Sequence, residues 1–331
     1  MASSKGAPCP ILGIDRAGTK GARPGTRLGR MRRLGEAMST ITTIRKGALE
    51  ASIDSMGAQL MSLKLNGSEY LWQGDERFWP RRAPILFPIV GCLRNNFAKS
   101  AAGEVHLGRH GLARNYEHRI VEQTNDSVTF ELESTPETMR AYPYAFRLNM
   151  TYAVDDERML QRFTVTNTGD EIMPFTLGGH PAFNVPAPDS DGETFDDYEL
   201  RFTRPWTAVS PSIDTDGLCD FDQSNTLFED ADARPLSHEL FDKYLTLTFQ
   251  DVPGRTVTLL GTKSGHGVEL DFDDFPFLGV WSAPGAPFVA VEPWRGVATC
   301  HDESDIFEEK RGMESLDLGE KVSYEFSVSP F

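Results

Sequence analysis

The chain has 331 residues, of which 39% are hydrophobic and 25% charged, and its net charge is −16. This composition is typical of a soluble globular protein, and no apolar run approaches the roughly 18 residues that a membrane-spanning helix needs. The acidic balance argues against nucleic acid and anionic membranes as partners, because like charges repel.

The first segment of the chain differs from the rest. Residues 1–37 hold eight Lys or Arg against Asp15 and Glu36, and they are rich in Gly, Ala, Ser and Pro. They show no strand periodicity and no apolar core of a secretory signal. We therefore expect residues 1–40 to form a disordered basic extension. An over-extended start upstream of Met38, a transit peptide and a polybasic binding segment all stay open.

From residue 41 onward the sequence predicts one strand after another. Apolar residues alternate or run together with β-branched and aromatic residues, and turn signals such as Asn66-Gly67 separate these stretches. The predicted strands are Ile44–Ile53, Gln59–Leu65, Ser127–Glu133, Phe146–Val154, Met159–Asn167, Tyr198–Phe202, Tyr244–Phe249, Arg255–Leu260, Val268–Phe272 and Val322–Val328.

Helical periodicity is scarce and predicts short helices only at Thr135–Tyr142 and Asp305–Met313. Many strands without helices between them predict antiparallel sheets packed face to face. We therefore expect residues 41–331 to form one all-β domain, a large antiparallel β-sandwich.

Four cysteines are spread along the chain without a CxxC motif: Cys9, Cys92, Cys219 and Cys300. This spacing argues against a disulfide framework and against a thiolate zinc site. Reduced thiols predict a cytoplasmic protein.

One stretch predicts a proton-transfer residue. His180 follows Gly178-Gly179 and precedes Pro181, which keeps it out of helical geometry and predicts a rigid loop at a strand end. Its ordinary pKa near neutrality suits acid–base work. The alternative is a buried histidine that satisfies a loop carbonyl.

A carboxylate in the last third of the chain is a second candidate. Glu292 ends the apolar strand Phe288–Val291 and is followed by Pro293 and Trp294. A carboxylate among rings loses solvent, which raises its pKa and makes it a candidate base. The alternative is an ion pair with Arg295.

Five motifs in this order resemble the aldose 1-epimerase (galactose mutarotase) family, especially its shorter and less characterised branch. The resemblance runs from about Thr42 to the C-terminus. The motifs are Ala83-Pro84-Ile85-Leu86-Phe87-Pro88-Ile89-Val90-Gly91, His110-Gly111-Leu112-Ala113-Arg114, Gly179-His180-Pro181-Ala182-Phe183-Asn184, Phe241-Asp242, and Phe288–Gly296 with its Glu-Pro-Trp. The resemblance implies a galactose mutarotase-like supersandwich with an open cleft that binds a pyranose.

The resemblance also implies roles for individual residues. Glu292 would take the proton of the anomeric hydroxyl, and His180 would protonate the ring oxygen, so that the ring opens and recloses as the other anomer. His110 would help to bind and polarise the sugar, and Asp242 would bind its hydroxyls. Trp281 and Trp294 would offer flat faces to the sugar or pack in the core. No electrons move, so the chemistry needs no cofactor, and we expect no metal at the site.

The chain departs from the family after Gly91. Better-characterised members carry an Asn-Arg pair there, whereas this chain has Cys92-Leu93-Arg94-Asn95-Asn96. Arg94, Arg81 or Arg82 could reach the same hydroxyls, and Arg114 could orient a carboxylate or bind an anionic substituent. A phosphorylated hexose therefore stays open as the substrate, because guanidinium groups suit phosphate. Ordinary structural ion pairs are the alternative for each arginine.

We expect a sugar epimerase that acts as a monomer or homodimer. Three other functions are the alternatives. A non-catalytic carbohydrate-binding or sensing sandwich would not need both His180 and Glu292. A glycoside hydrolase would use two carboxylates, such as Asp242 with Glu292, and would leave His180 without a role. A zinc site built from His110, His180 and Glu292 has suitable ligand types but no supporting local spacing.

Overall fold

A computed structural model describes residues 39–331, so residues 1–38 of the predicted basic extension lie outside the described part of the chain. Short strands dominate. In the first half of the chain they are β1 Ile41–Lys46, β2 Leu49–Asp54, β3 Gln59–Leu65, β4 Ser68–Glu69, β5 Ile85–Leu86, β6 Phe97–Ser100, β7 Gly103–His106, β8 Arg119–Gln123, β9 Ser127–Glu133, β10 Phe146–Val154 and β11 Met159–Asn167. In the second half they are β12 Met173–Phe175, β13 Leu177–Gly179, β14 Ala182–Asn184, β15 Tyr198–Ile213, β16 Cys219–Pro235, β17 Thr246–Gln250, β18 Thr256–Gly261, β19 Gly267–Asp271, β20 Phe277–Trp281, β21 Phe288–Arg295, β22 Glu314–Leu316 and β23 Lys321–Pro330.

Helices are few and short in the described residues. Two are α-helices, α1 Thr138–Ala141 and α2 His238–Tyr244. The remainder are single 3-10 turns at Arg94–Asn96, Ala113–Asn115, Phe195–Asp197, Pro253–Arg255 and Phe307–Glu309. None of the helices between residues 39 and 331 is long and apolar enough to cross a membrane.

Two large antiparallel sheets organise the fold. One has nine strands in the order β16-β15-β18-β19-β23-β11-β10-β9-β8, and the other has the order β17-β20-β21-β13-β5 with β14 also paired to β21. A four-stranded sheet β1-β2-β3-β4 and the pairs β6-β7 and β12-β22 complete it. The all-β antiparallel prediction is therefore confirmed.

The nine-stranded sheet and the six-stranded sheet differ in burial, which explains their sequences. Along β10 every second side chain is buried, as expected for a strand with one face on the core. In contrast, seven of the eight residues of β21 are buried, and so are four of the five in β20. The six-stranded sheet is thus covered on both faces, and this is why its strands are continuous apolar runs. A single large core cluster includes residues of both sheets.

Four predicted strands match the structure at both ends, namely Gln59–Leu65, Ser127–Glu133, Phe146–Val154 and Met159–Asn167. The predicted strand Ile44–Ile53 is instead the hairpin β1–β2, because Gly47 adopts a positive φ of 56° and turns the chain. The predicted helix at Asp305–Met313 is wrong apart from one 3-10 turn.

Two further boundaries differ from the sequence prediction. Tyr244 closes α2 rather than opening a strand, and β17 starts at Thr246. The long strand β16 was not predicted, because its polar sequence is mostly exposed and has little apolar alternation. It pairs with β15 in a hairpin that runs well past the predicted end at Phe202.

Candidate active site

The register of the buried sheet brings the two candidate proton-transfer residues together. Gly178 of β13 pairs with Trp294 of β21, and Ala182 of β14 pairs with Ala290 of the same strand. Both pairings belong to one antiparallel register, so His180, midway between Gly178 and Ala182, lies opposite Glu292. Pro181 continues this alignment by accepting a hydrogen bond from the Val291 N–H at 3.0 Å.

The two side chains lie within ion-pair distance, although Glu292 Oε2 makes no hydrogen bond of regular geometry in the described residues. His180 Nε2 lies 3.2 Å from Glu292 Oε2, and the side chains are only 9% and 1% exposed. Arg295, the partner considered from sequence, binds Glu314 and the Asp274 carbonyl instead. Glu292 is therefore not held in an ion pair with the adjacent arginine.

Burial raises the pKa of Glu292 well above its ordinary value, because the ionised carboxylate has lost its water. The indole N–H of Trp294 and the positive charge of Arg109 oppose this shift. The Trp294 N–H does not complete a hydrogen bond of regular geometry within the described residues. The neutral carboxylic acid is the resting form that this environment favours.

His180 is shifted in the opposite direction by the same cause. Burial lowers the pKa of His180 to about 3, and the nearby positive charges of Arg114, Arg109 and Arg81 act in the same sense. Burial therefore favours the neutral form of each member of the acid–base pair formed by His180 and Glu292. The pair contains one group able to give a proton and one able to take a proton.

His110 borders the pair, with its ring 5.5 Å from that of His180 and nearly perpendicular to it. Its Nδ1 accepts a hydrogen bond from the Gly91 N–H at 3.1 Å, while its own backbone N–H donates to the Gly91 carbonyl at 2.7 Å. An Nδ1 that accepts a hydrogen bond carries no proton, so the proton of the neutral ring is on Nε2. Burial lowers the pKa of His110 well below its ordinary value, in agreement with this neutral form.

Close backbone packing holds the His110 loop in place. His110 and Gly111 both adopt positive φ, 64° and 73°. A Cβ on Gly111 would lie 2.3 Å from the Phe87 carbonyl oxygen, so only glycine fits there. The motif that contains His110 thus has a physical reason for its glycine.

The predicted arginines fall into two groups. The charge of Arg114 acts on both histidines, together with those of Arg81 and Arg109. Arg94, in contrast, binds the carbonyls of Cys300 and Glu303 and pairs with Asp305 at 2.7 Å. Arg114 therefore lies near the two histidines, whereas Arg94 stabilises the loop after β21 by binding its carbonyls.

Asp242 lies exposed on α2, just before β17, whose residue Thr246 pairs with Trp281. No hydrogen bond or ion pair links it to the acid–base pair among residues 39–331. Trp281 does reach the site, with its ring 5.8 Å from that of His180 at 78°.

Trp294 is buried and packs in the second core cluster. Its ring occupies the space above Gly279, where a Cβ would come within 2.3 Å of Trp294 Cζ2. Its face is therefore a packing surface rather than an open platform, although its N–H still influences Glu292.

Two residues of the site were not selected as site residues from the motifs. Trp79 stacks on His180, with ring centroids 4.8 Å apart at 24°. Arg109 lies next to the motif that begins at His110, and its charge is felt by Glu292 and by both histidines. The prolines and arginines around Trp79 indicated an irregular loop, but nothing in the sequence showed where its ring packs.

Comparisons with known proteins agree with this geometry. The family model described as aldose 1-epimerase matches residues 39–328. The plasmid-encoded protein LacX of Lactococcus lactis subsp. lactis is 37% identical over 292 residues, which cover 85% of this chain and 96% of the relative.

Two solved structures are similar over nearly their whole lengths. A galactose mutarotase-related enzyme from Lactobacillus acidophilus has a TM-score of 0.83 and 32% identity, covering 88% of this chain and 97% of that one. A galactose mutarotase-like protein from Lactobacillus casei has a TM-score of 0.80 and 30% identity, covering 88% and 100%.

Proposed function

The chain belongs to the aldose 1-epimerase family, and on this premise we propose that it interconverts the α and β anomers of a hexose by acid–base ring opening. The observation that supports this most directly is the acid–base pair. His180 and Glu292 face each other across 3.2 Å on buried strands, and burial shifts their pKa values in opposite directions. A site that only binds sugar has no need for two groups with opposite pKa shifts.

In the proposed reaction the neutral carboxylic acid of Glu292 first passes its proton to the neutral imidazole of His180. Glu292 then removes the proton of the anomeric hydroxyl while His180 gives a proton to the ring oxygen. The electrons of the C1–O5 bond move to the ring oxygen, and the hydroxyl oxygen becomes the carbonyl oxygen of the free aldehyde. Rotation about C1–C2 and the reverse proton transfers close the ring as the other anomer.

The other residues would act by binding. The Nε2–H of neutral His110 is a donor suited to a sugar oxygen, since its Nδ1 is occupied by Gly91. Trp281 would offer part of its indole to an apolar sugar face. Asp242 would accept hydrogen bonds from hydroxyls. These assignments are carried by the family motifs and by the placement of each residue.

We further propose that the substrate is a hexose with an anionic substituent, such as a hexose phosphate. Arg81, Arg109 and Arg114 all contribute positive charge at the two histidines. Guanidinium groups recognise phosphate well. We place the enzyme in the cytoplasm, where such sugars and reduced cysteines occur, with residues 41–331 as its catalytic domain.

Saturation-transfer NMR tests this function with freshly dissolved α-D-glucose, α-D-galactose and glucose 6-phosphate. We expect wild-type protein to accelerate anomer exchange, most strongly for the phosphate, and Glu292→Gln protein to leave the spontaneous rate unchanged. Faster exchange of the neutral sugars would exclude the anionic substrate. If the protein binds a sugar but accelerates anomer exchange of none of the three sugars, the alternative function holds, namely a non-catalytic carbohydrate-binding or sensing protein.

A further inference from the structure

Trp79 is the closest aromatic neighbour of the candidate acid. Its ring is stacked on the His180 imidazole at 4.8 Å, whereas Trp281 approaches the same imidazole edge-on at 5.8 Å. Trp79 lies in the loop between β4 and β5, outside every motif that carries the family resemblance.

Several contacts fix the Trp79 ring. Its backbone N–H donates to the Asp75 carbonyl at 2.9 Å, and its carbonyl accepts from the indole N–H of Trp72 at 2.9 Å. The ring meets Trp281 at 5.5 Å and 77°, and Phe288 at 5.7 Å and 32°. Held at both backbone ends and between other rings, the indole has little freedom to turn.

We propose that Trp79 is a positioning residue of this site, which holds the His180 imidazole toward Glu292 and stabilises the imidazolium formed during the reaction. This inference rests on the proposed anomer interconversion for its kinetic part only. The charged and titratable groups around His180 are Glu292, His110, Arg81, Arg109 and Arg114.

The physical reason lies in the charge distribution of the indole. The face of an aromatic ring is negative and attracts a cation that lies against it. The three arginines oppose a positive imidazole, whereas the stacked indole favours it, together with the Glu292 carboxylate that forms when its proton moves to His180. A cation–π contact contributes about 0.5–2 kcal/mol, rising as the contact loses water, which corresponds to roughly a 2- to 30-fold change in rate.

Three variants test the proposal: Trp79→Leu, Trp79→Phe, and Phe78→Leu as the matched control in the same loop. We expect Trp79→Leu to lower kcat for anomer exchange by roughly 2- to 30-fold with little change in KM. Trp79→Phe keeps a ring and should recover most of the rate. Phe78 packs on Trp72 instead, at 6.2 Å, so its variant should stay near wild type.

Nitrogen NMR of labelled histidine provides a readout without any substrate. The shifts of His180 should report one tautomer in wild type and in Trp79→Phe, and a mixture of tautomers in Trp79→Leu. An unchanged His180 tautomer together with an unchanged kcat in Trp79→Leu would overturn the proposal. If wild type lacks turnover but the tautomer still depends on Trp79, the positioning role stands and the proposed function fails.

A separate site lies in the second core cluster, which contains Cys219 and Cys300 together with Trp294. The Cys219 N–H donates to the Thr299 carbonyl at 3.1 Å, and the His301 N–H donates to the Cys219 carbonyl at 2.9 Å. These bonds make Cys219 and Cys300 direct partners in a parallel bridge. Paired residues of neighbouring strands lie about 4.8 Å apart, within the separation that a disulfide spans.

The surroundings of this dithiol act on its ionisation in both directions. The adjacent Cys300 thiol and burial raise the pKa of the Cys219 thiol well above its ordinary value. The buried ammonium of Lys310, bound to Thr299 Oγ1 at 2.9 Å, contributes positive charge at both sulfur atoms. This positive charge opposes the rise in the Cys219 pKa and favours the thiolate, which is the reactive form.

We infer that Cys219 and Cys300 form a modification site, a dithiol that hydrogen peroxide converts to a disulfide. One thiolate attacks a peroxide oxygen, giving a sulfenic acid and hydroxide, which takes up a proton to become water. The second thiol attacks the sulfenic sulfur, a second water leaves, and the disulfide forms. Two thiols thus lose two electrons and two protons to one peroxide.

Peroxide treatment of the full chain, followed by acid quenching and peptide mapping, tests this site. We expect a Cys219–Cys300 linked peptide, a mass loss of two hydrogens and a higher melting temperature that dithiothreitol reverses. Cys219→Ser should remove all three effects, whereas Cys92→Ser should keep them. Oxidation of single cysteines to sulfinic acids without the linked peptide, or a link through Cys92, would overturn the inference.

Discussion

Replacing Glu292 by glutamine should make the protein more stable at neutral pH while it abolishes turnover. The wild-type carboxyl is 1% exposed and its pKa is raised by burial. Glutamine has nearly the same shape and remains neutral at every pH. The variant therefore avoids both the burial of a charge and the uptake of a proton on folding.

The size of the effect follows from linkage. Between the ordinary glutamate pKa of 4.5 and its raised value in the folded protein, the folded state keeps a proton that the unfolded state releases. Wild-type stability therefore falls as pH rises through this window, by about 1.4 kcal/mol per pH unit. Glu292→Gln lacks this slope. The difference in melting temperature between Glu292→Gln and wild type should therefore widen by roughly 2 °C per pH unit.

Thermal unfolding from pH 4.5 to pH 8, followed by circular dichroism, measures this difference. Glu131→Gln is the matched control, because Glu131 is also a buried carboxylate but is paired with Arg119 and Arg147. Removing that carboxylate leaves the two arginines without their shared partner. We expect it to lower the melting temperature and to leave anomer exchange near the wild-type rate.

Two results would refute this reasoning. If the difference in melting temperature between wild type and Glu292→Gln stays constant across the pH range, Glu292 is ionised in the folded protein with an ordinary pKa. Wild-type turnover in Glu292→Gln would mean that another group removes the anomeric proton. Stability and turnover thus test the burial and the chemistry separately.

Further expectations concern the other residues of the site and the extension. His180→Asn should lose about 10²- to 10⁴-fold in kcat in anomer-exchange NMR, and a variant at the wild-type rate would exclude the acid assignment. The kcat/KM profile should stay level as pH falls through 6.5, because burial lowers the His180 pKa to about 3; a loss of rate centred near 6.5 would contradict this. Arg94→Ala should lower the melting temperature but change kcat less than twofold, since Arg94 binds the carbonyls of residues 300 and 303, and a large loss of kcat at unchanged stability would place it in the site. Deleting residues 1–37 should change neither melting temperature nor turnover, so a marked loss of either would assign the extension a role.

Alternation in the sequence was enough to predict strands such as β9, β10 and β11, because each has one face on the core and one toward solvent. It was not enough for β16, whose exposed polar residues carry no period of their own. That strand forms because β15 provides a long partner, and this is a tertiary cause that a local pattern does not contain.

The candidate site shows the same division. His180 and Glu292 could be selected from sequence, since one precedes a proline after two glycines and the other ends an apolar run. Their contact could not, because it depends on the register of β21 against β13 and β14. Trp79 and Arg109 could not be predicted as site residues, because irregular loops bring them to the histidines. The packing of such loops produces no periodic pattern in the sequence.

The opposite pKa shifts of the acid–base pair have one origin in the fold. β21 is the strand that joins β20 to β13 and β14, so a residue at its centre is covered by the sheet and by both layers around it. Burial there destabilises the charged form of any group, which raises the pKa of an acid and lowers that of a base. Placing a carboxylic acid and an imidazole at facing positions of that strand pair therefore shifts their pKa values in opposite directions. The apolar strand that makes Glu292 costly for stability is thus the same feature that prepares it for proton transfer.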